Sequence, residues 1–159
     1  MAPKTAFVTR ATGTQGIAVT KKLLSAGYTI HALVKDSKDS RSTAYQALSP
    51  SSIKLFTGTI DDTSALGTAL AGCTALFLNL MPNFVEQGGE ERQGKAILDA
   101  AKTAGVKHVV HSTVLGLETV NEQETAGKAL FAAVMLGKVR VEEAVQKSGI
   151  DEWTIIRPG

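Results

Sequence analysis

The segment TAFVTRATGTQGIAVTKKLL, residues Thr5–Leu24, has the pattern of a strand, a glycine turn and a helix. It opens with TAFVT, a short apolar and β-branched run that is typical of a strand buried in a parallel sheet. A turn containing Gly13 and Gly16 follows, and an apolar periodicity then predicts a helix. In this context the glycines indicate a nucleotide site, because Gly13 lets the backbone approach a phosphate and Gly16 lets the helix pack against the strand. A tight turn without a ligand is the alternative.

The rest of the chain alternates in the same way. Strands are predicted at Thr5–Thr9, Tyr28–Val34, Ile53–Gly58, Thr74–Leu80, Val106–Thr113 and in EWTIIRP, residues 152–158. Helical patterns fill four of the five crossovers: IAVTKKLLSAG, DDTSALGTALAG, Glu86–Ala104 and Lys128–Ser148. The remaining crossover, KDSKDSRSTAYQALSPSS, is predicted as a polar stretch without a helix. The pattern predicts one α/β domain over residues 1–159, with a doubly wound, parallel six-stranded Rossmann-type sheet in the order 3-2-1-4-5-6.

Composition excludes several classes of protein. Lys and Arg number 17 against 15 Asp and Glu, so we expect no basic arm and no direct binding to nucleic acid. The single cysteine, Cys73, excludes a disulfide framework and a zinc cluster, and a packed side chain is favoured over a redox switch. No run approaches the roughly 20 apolar residues of a membrane span, and the N-terminus lacks the pattern of a signal peptide. We therefore expect a soluble cytoplasmic protein, with the nucleus as the alternative for a transcriptional co-regulator.

Three segments carry a resemblance to a known family. They are ATGTQG (residues 11–16), EERQGKAILDAAKTAGVKHVVHST (90–113) and GKVRVEEAVQKSGIDEWTIIRPG (137–159), and together they resemble the NmrA-like family of atypical short-chain dehydrogenases. The resemblance implies a site for NADP(H) or NAD(H). It also implies either a regulator that responds to its cofactor and acts on a protein partner, or an NAD(P)H-dependent reductase. Members usually extend well beyond the sixth strand, and we expect that substrate-binding part to be absent here.

The chain departs from the family at the first glycine of the turn, which is replaced by Arg10. A cationic side chain at this position either fills the space of the pyrophosphate or pairs with it, and a third reading directs it to solvent. Because the turn is built for backbone donors, we expect Arg10 to fill that space and to leave the site empty.

The charge that follows the second strand predicts which cofactor is preferred. Lys35 lies 19 residues beyond Gly16, close to the spacing of about 20 at which a side chain meets the adenosine ribose. A basic residue there favours a 2′-phosphate, so NADP is predicted over NAD. Lys38 and Arg41 add positive charge, although two nearby aspartates partly cancel it. A solvated polar loop is the alternative.

Further cofactor contacts are implied by position in the family. The predicted residues in the turn are Arg10, Thr12, Gly13, Thr14, Gln15 and Gly16. Those beside the adenine are Thr59 and Ile60, and those at the end of the fourth strand are Asn79, Leu80 and Met81. All of them belong to the carboxyl ends of strands, where ligands of open α/β sheets lie.

The catalytic machinery implied by the family is incomplete. Typical short-chain dehydrogenases carry a tyrosine four residues before a lysine. Lys138 matches the lysine and is predicted to contact the nicotinamide ribose, or else to face solvent, whereas Val134 stands in the place of the tyrosine and has no proton to give. Ser112 lies near the position of the catalytic serine, but alone it is a poor acid. A regulator or redox sensor is therefore the main hypothesis, with a reductase as the alternative and no metal expected.

Overall fold

The computed structural model describes residues 4–120 and 129–159, in which six strands form one parallel sheet. The strands are β1 (Thr5–Val8), β2 (Thr29–Val34), β3 (Ile53–Thr57), β4 (Ala75–Asn79), β5 (His108–Ser112) and β6 (Glu152–Ile156). The α-helices of these residues are α1 (Thr14–Ser25), α2 (Ser40–Gln46), α3 (Thr63–Leu70), α4 (Gly89–Thr103) and α5 (Ala129–Gln146), with a short 3-10 helix at Leu117–Thr119. The strand order, β3-β2-β1-β4-β5-β6, confirms the predicted doubly wound topology.

The order of the strands reverses between β1 and β4, and Thr9 fixes this point. Its hydroxyl lies within donating distance of the carbonyl oxygens of Phe77 (3.1 Å) and Asn79 (2.9 Å). The same oxygen accepts a hydrogen bond from the Asn79 amide at 2.7 Å. The carboxyl ends of β1 and β4 are therefore held together at the reversal, where sheets of this kind bind their ligands.

The core consists of two clusters, one on each face of the sheet. The cluster beneath α3, α4 and α5 includes Phe7, Leu66, Leu76, Leu78, Ile97 and Val141. The cluster beneath α1 and α2 includes Val8, Ile30, Tyr45 and Ile53. Full burial of one such aliphatic or aromatic side chain contributes about 1.5–3 kcal/mol. The sheet is thus held from both sides, which leaves the ends of its strands available for a site.

The crossover after β2 differs from the prediction, because it contains the helix α2. Asp39 caps this helix by accepting a hydrogen bond from the Ser42 amide at 2.8 Å. Tyr45 is fully buried, and its hydroxyl lies 2.6 Å from that of Thr20 in α1. Burial raises the pKa of Tyr45 to about 12. One cap and one aromatic anchor therefore stabilise a helix in a segment with little apolar periodicity.

The observed starts of α4 and α5 differ from the predicted ones. The helix α4 begins later than predicted, and α5 is described only from Ala129. The helix α4 begins at Gly89 rather than Glu86, because Gly88 adopts a left-handed conformation with φ of 76°. Asn83 instead caps the preceding turn by accepting hydrogen bonds from the amides of Val85 and Glu86, both at 3.0 Å. The predicted start of α5 at Lys128 lies outside the described residues.

No helix within the described residues is long and apolar enough to cross a membrane.

The turn between β1 and α1 leaves no space for a side chain at Gly16. A Cβ atom there would collide with the carbonyl oxygen of Arg10 and lie 2.7 Å from the Cα and carbonyl oxygen of Ala11. Because these are backbone atoms, they cannot move aside without distorting the turn.

We therefore expect Gly16→Ala to lower the free energy of unfolding by about 2 kcal/mol, the usual cost of overpacking. The matched control is Gly67→Ala in α3, where a Cβ would meet no atom within 4 Å. This control should gain up to about 1 kcal/mol from helix propensity. Urea denaturation of the two variants and the unchanged protein measures both effects. Equal stability of the two variants would contradict the close approach.

Candidate functional site

The first turn of α1 presents backbone donors that no side chain caps. The amide of Gly13 donates to the carbonyl of Arg10 at 2.9 Å, which closes the turn. Gly13 is also the N-cap residue of α1, and it has no side chain with which to satisfy the helix amides that follow. The first N–H groups of an α-helix lack partners within the helix and favour anions. The turn thus has the donor arrangement that binds a phosphate.

Arg10 has a left-handed backbone conformation, which favours glycine. Its φ of 49° is the only positive value among the non-glycine residues that the structure describes. A non-glycine residue in this region costs on the order of 1–3 kcal/mol, and such strain clusters at functional sites. The residue is exposed, and its guanidinium makes no hydrogen bond or ion pair within residues 4–120 and 129–159.

Two open clefts meet at Arg10. The turn cleft, about 300 Å³, is lined by Arg10, Gly13, Thr14, Gln15, Gly16, Asn79 and Thr113. The strand-end cleft, about 290 Å³, is lined by Arg10, Leu33, Lys35, Gly58, Thr59, Ile60, Asp61 and Gln93. The structure thus brings most of the residues predicted from the sequence into two adjoining spaces. Of the others, Thr12 is half-buried, Leu80 belongs to the core and Met81 is exposed.

Polar side chains connect the first turn of α1 to the ends of β4 and β5 beside the turn cleft. The Oε1 atom of Gln15 accepts hydrogen bonds from Asn79 Nδ2 at 2.7 Å and from Ser112 Oγ at 3.1 Å. The neighbouring Thr113 has a buried Oγ1 without a partner among the described residues. Thr113 itself lines the turn cleft, so this unpaired hydroxyl lies in the wall of that cleft. The network therefore holds the predicted Ser112 and Asn79 in place and leaves one orphaned group beside them.

Lys138 is engaged by a carboxylate that sequence reasoning did not identify. Its Nζ lies 2.9 Å from Oε1 of Glu90, and the two side chains are 14% and 5% exposed. Glu90 belongs to the first turn of α4, where the helix dipole favours an acid. The sequence does not reveal this pair, because 48 residues separate the partners and the acids at Glu90 and Glu91 are already explained by the dipole.

A second ion pair, in which the carboxylate is buried and the guanidinium is exposed, fixes the helix that carries Lys138. Glu142, buried in α5, accepts hydrogen bonds from Arg157 Nε at 3.0 Å and Nη2 at 2.6 Å. Nearby, burial lowers the pKa of His111, whose Nδ1 lies 3.0 Å from the carbonyl oxygen of Leu78. The ion pair therefore joins α5 to the residue that follows β6.

The cysteine and histidine side chains, which could act as a nucleophile or as metal ligands, have packing roles in this structure. Burial raises the pKa of the free Cys73 thiol to about 12, which disfavours the reactive thiolate at neutral pH. The imidazole of His108 lies 3.3 Å from the Thr154 hydroxyl, whereas His111 is buried. Within the described parts of the chain, no group of three or more His, Cys, Asp or Glu side chains is arranged to hold a metal ion.

Solved structures share this architecture. An NADPH-dependent quinone oxidoreductase from Escherichia coli, complexed with NADPH, is 25% identical with a TM-score of 0.74. The match covers 97% of this chain and 48% of that one. The negative transcriptional regulator NmrA in complex with NADP is 23% identical, with a TM-score of 0.74 over 98% of this chain and 45% of that one. The second likeness shows the fold alone.

Sequence comparison shows the family. An NAD(P)H azoreductase from Xenophilus azovorans is 31% identical over 157 residues, which are 96% of this chain and 47% of that protein. The chain thus spans about half the length of this curated relative. The sequence profile of the NmrA-like family matches residues 2–159. With the fold, the glycine turn and this match over nearly the whole chain, the protein belongs to the NmrA-like family.

Proposed function

We propose that this chain binds NADP(H) across the two clefts and acts as a cofactor-responsive regulator or redox sensor. The observation that carries the binding proposal is the position of Arg10, a cation without a described partner where the two clefts meet. The uncapped first turn of α1 lies on one side of it and Lys35 on the other. A single ligand with one anionic group beside Arg10 and the first turn of α1, and another beside Lys35, matches these positions of the donors and cations.

The residues present fit a dinucleotide. The amides of the first turn of α1 and the guanidinium of Arg10 would hold the pyrophosphate, because both are donors to oxyanions. Lys35 would meet the 2′-phosphate, with Thr59 and Ile60 beside the adenine. The orphaned hydroxyl of Thr113 gives the nicotinamide end of the turn cleft a polar contact. When bound, the reduced cofactor supplies a hydride.

The open turn cleft favours pairing by Arg10 over blocking. The left-handed backbone of Arg10 leaves about 300 Å³ beside the helix amides, and the residue lines this space instead of closing it. We therefore propose that its guanidinium neutralises phosphate charge.

A sensor is supported by the groups around Lys138. Val134 has no proton to give, and the ammonium of Lys138 is already engaged by Glu90. A protein that binds the cofactor without turnover would transmit its state to a regulatory protein partner. NmrA, a negative transcriptional regulator, has been solved with NAD and with NADP.

A reductase is the second candidate, and one observation favours it. The 31% identical relative is an NAD(P)H azoreductase, and the quinone oxidoreductase with the same fold holds NADPH. In this case Lys138 and Ser112 would act on the cofactor and substrate, and residues 1–159 would form the NAD(P)-binding domain. Because the chain spans about half of these relatives, substrate-binding residues would lie in a part that it does not include. A single buried cysteine supports a cytoplasmic location for either candidate.

Lys35→Glu tests the choice of cofactor. It should weaken NADPH binding by about 1–3 kcal/mol, because a charge-assisted contact to the 2′-phosphate becomes a repulsion. NADH, which lacks that phosphate, should be affected much less. Calorimetric titration of both cofactors measures the difference, with Lys38→Glu as the matched control in the same loop. Equal losses for NADPH and NADH would refute the assignment of Lys35.

Arg10→Gln tests the pairing proposal without restoring the glycine. Glutamine keeps a non-glycine backbone at this position but removes the charge, so NADPH and NADH should both bind about 10- to 100-fold more weakly. The affinity of the unchanged protein should also fall more steeply with added salt than that of the variant. Tighter binding by Arg10→Gln would show that Arg10 blocks the pyrophosphate.

Turnover separates the two candidate functions. For a sensor, NADPH oxidation with simple azo dyes or quinones should be far below the median enzyme turnover of about 10 s⁻¹. The absorbance of NADPH at saturating cofactor measures this rate, after calorimetry has shown that the site is filled. A rate near the median would establish the reductase.

A further inference from the structure

A small cavity lies between the loop that follows β4 and the helix α5, apart from the two clefts. Its volume is about 90 Å³, and its lining includes Asn83, Gln87, Glu90, Ala133, Val134 and Gly137. We name it the Glu90 cavity. At about 30 Å³ for one water molecule, it has room for a hydroxyl or amino group and the carbons that carry it.

The two oxygens of the Glu90 carboxylate have different surroundings. Oε1 accepts a hydrogen bond from Lys138 at 2.9 Å. Oε2 is buried and has no hydrogen-bond partner among the described residues, although Glu90 as a whole is only 4% exposed. Buried polar atoms in folded proteins are normally paired, and a carboxylate oxygen can only accept while it is ionised. Oε2 is therefore an acceptor that lacks a donor, in a residue that lines the cavity.

Gly137 leaves the space of a methyl group beside this buried oxygen. It lies in the interior of α5, where glycine is less favourable than alanine. A Cβ atom at this position would lie 3.5 Å from Oε2 and 3.7 Å from the Cβ of Glu90, which are ordinary contact distances. The fold would thus accept alanine, but the added methyl group would cover Oε2. Packing alone does not explain the glycine.

The charges and the walls of the cavity define what it can hold. Lys138 balances the charge of Glu90, and Arg140 at the lining lies 3.5 Å from Glu91. The wall formed by α5 is apolar at Ala133 and Val134. A neutral molecule with an apolar body and one donor matches this surface better than an ion does.

We propose that the Glu90 cavity binds small neutral molecules that carry a single O–H or N–H donor on an apolar body, such as phenols and anilines. The donor group enters the cavity toward Glu90 Oε2. A ring is too large for about 90 Å³, so it stays at the mouth of the cavity, against the exposed Ala133 and against Val134. The site needs no cofactor, so the proposal stands whether the protein is a sensor or a reductase.

Phenol and anisole form the matched pair of probes, because each is a benzene ring with one oxygen substituent and only phenol has an O–H donor. Each is titrated into the ¹⁵N-labelled protein without cofactor, and amide shifts are followed at Gly88, Gly89 and Gly137. Phenol should give saturable shifts at these amides with a dissociation constant at least about tenfold lower than that of anisole, as expected for a hydrogen bond to a charged acceptor.

Gly137→Ala tests the role of the oxygen directly. The variant should keep or raise the Tm, because alanine favours the helix, and should bind phenol at least about tenfold more weakly. Gly67→Ala, a helix glycine in α3 outside this lining, is the control and should bind phenol as the unchanged protein does.

Three results would overturn the proposal. They are equal affinities for phenol and anisole, no saturable phenol shifts at the cavity amides, or full phenol affinity in a folded Gly137→Ala. The second would mean that only water meets Oε2. If Gly137→Ala lowers the Tm, the affinities of the unchanged protein for phenol and anisole still test the proposal.

Discussion

The close approach between the β1–α1 turn and the start of α1 is the constraint on which the rest of the site depends. A Cβ at Gly16 would collide with the Arg10 carbonyl, so the helix can sit over the turn only because this residue is glycine. That contact directs the uncapped N-terminus of α1 toward the point where the strand order reverses. Thr9 closes the same point from the side of β4. The donor groups of the turn cleft follow from these backbone contacts.

Two cations at the candidate site differ in whether they are paired: Arg10 has no described partner, whereas Lys138 is paired with Glu90. Arg10 stays in a left-handed conformation that costs energy, and it carries a guanidinium with no described partner into the junction of the two clefts. Lys138 is neutralised by Glu90 before any ligand arrives. The proposed pyrophosphate end of the site therefore has a cation without a described partner, whereas the ammonium at the proposed nicotinamide end is already paired. This contrast favours a protein built to bind a dinucleotide over one built to turn it over.

The sheet and the clefts can be predicted from the sequence because each strand and the glycine turn are recognised from a few consecutive residues. Short buried strands and the glycines at Gly13 and Gly16 determine the topology, and strand ends locate Lys35 and Thr59. The helix α2 escapes prediction because its anchor is a contact between Tyr45 and a residue 25 positions away. The partner of Lys138 escapes for the same reason, since a pair 48 residues apart leaves no periodic trace in the sequence.

In the proposed complex, the first turn of α1 binds the pyrophosphate of a dinucleotide. An NMR titration of the ¹⁵N-labelled protein with NADPH tests it most directly, because the amides concerned report on their own hydrogen bonds. We expect saturable shifts that are largest at Gly13, Thr14, Gln15 and Gly16, together with smaller shifts around Lys35. Shifts confined to other parts of the sheet, or none at saturating NADPH, would contradict it.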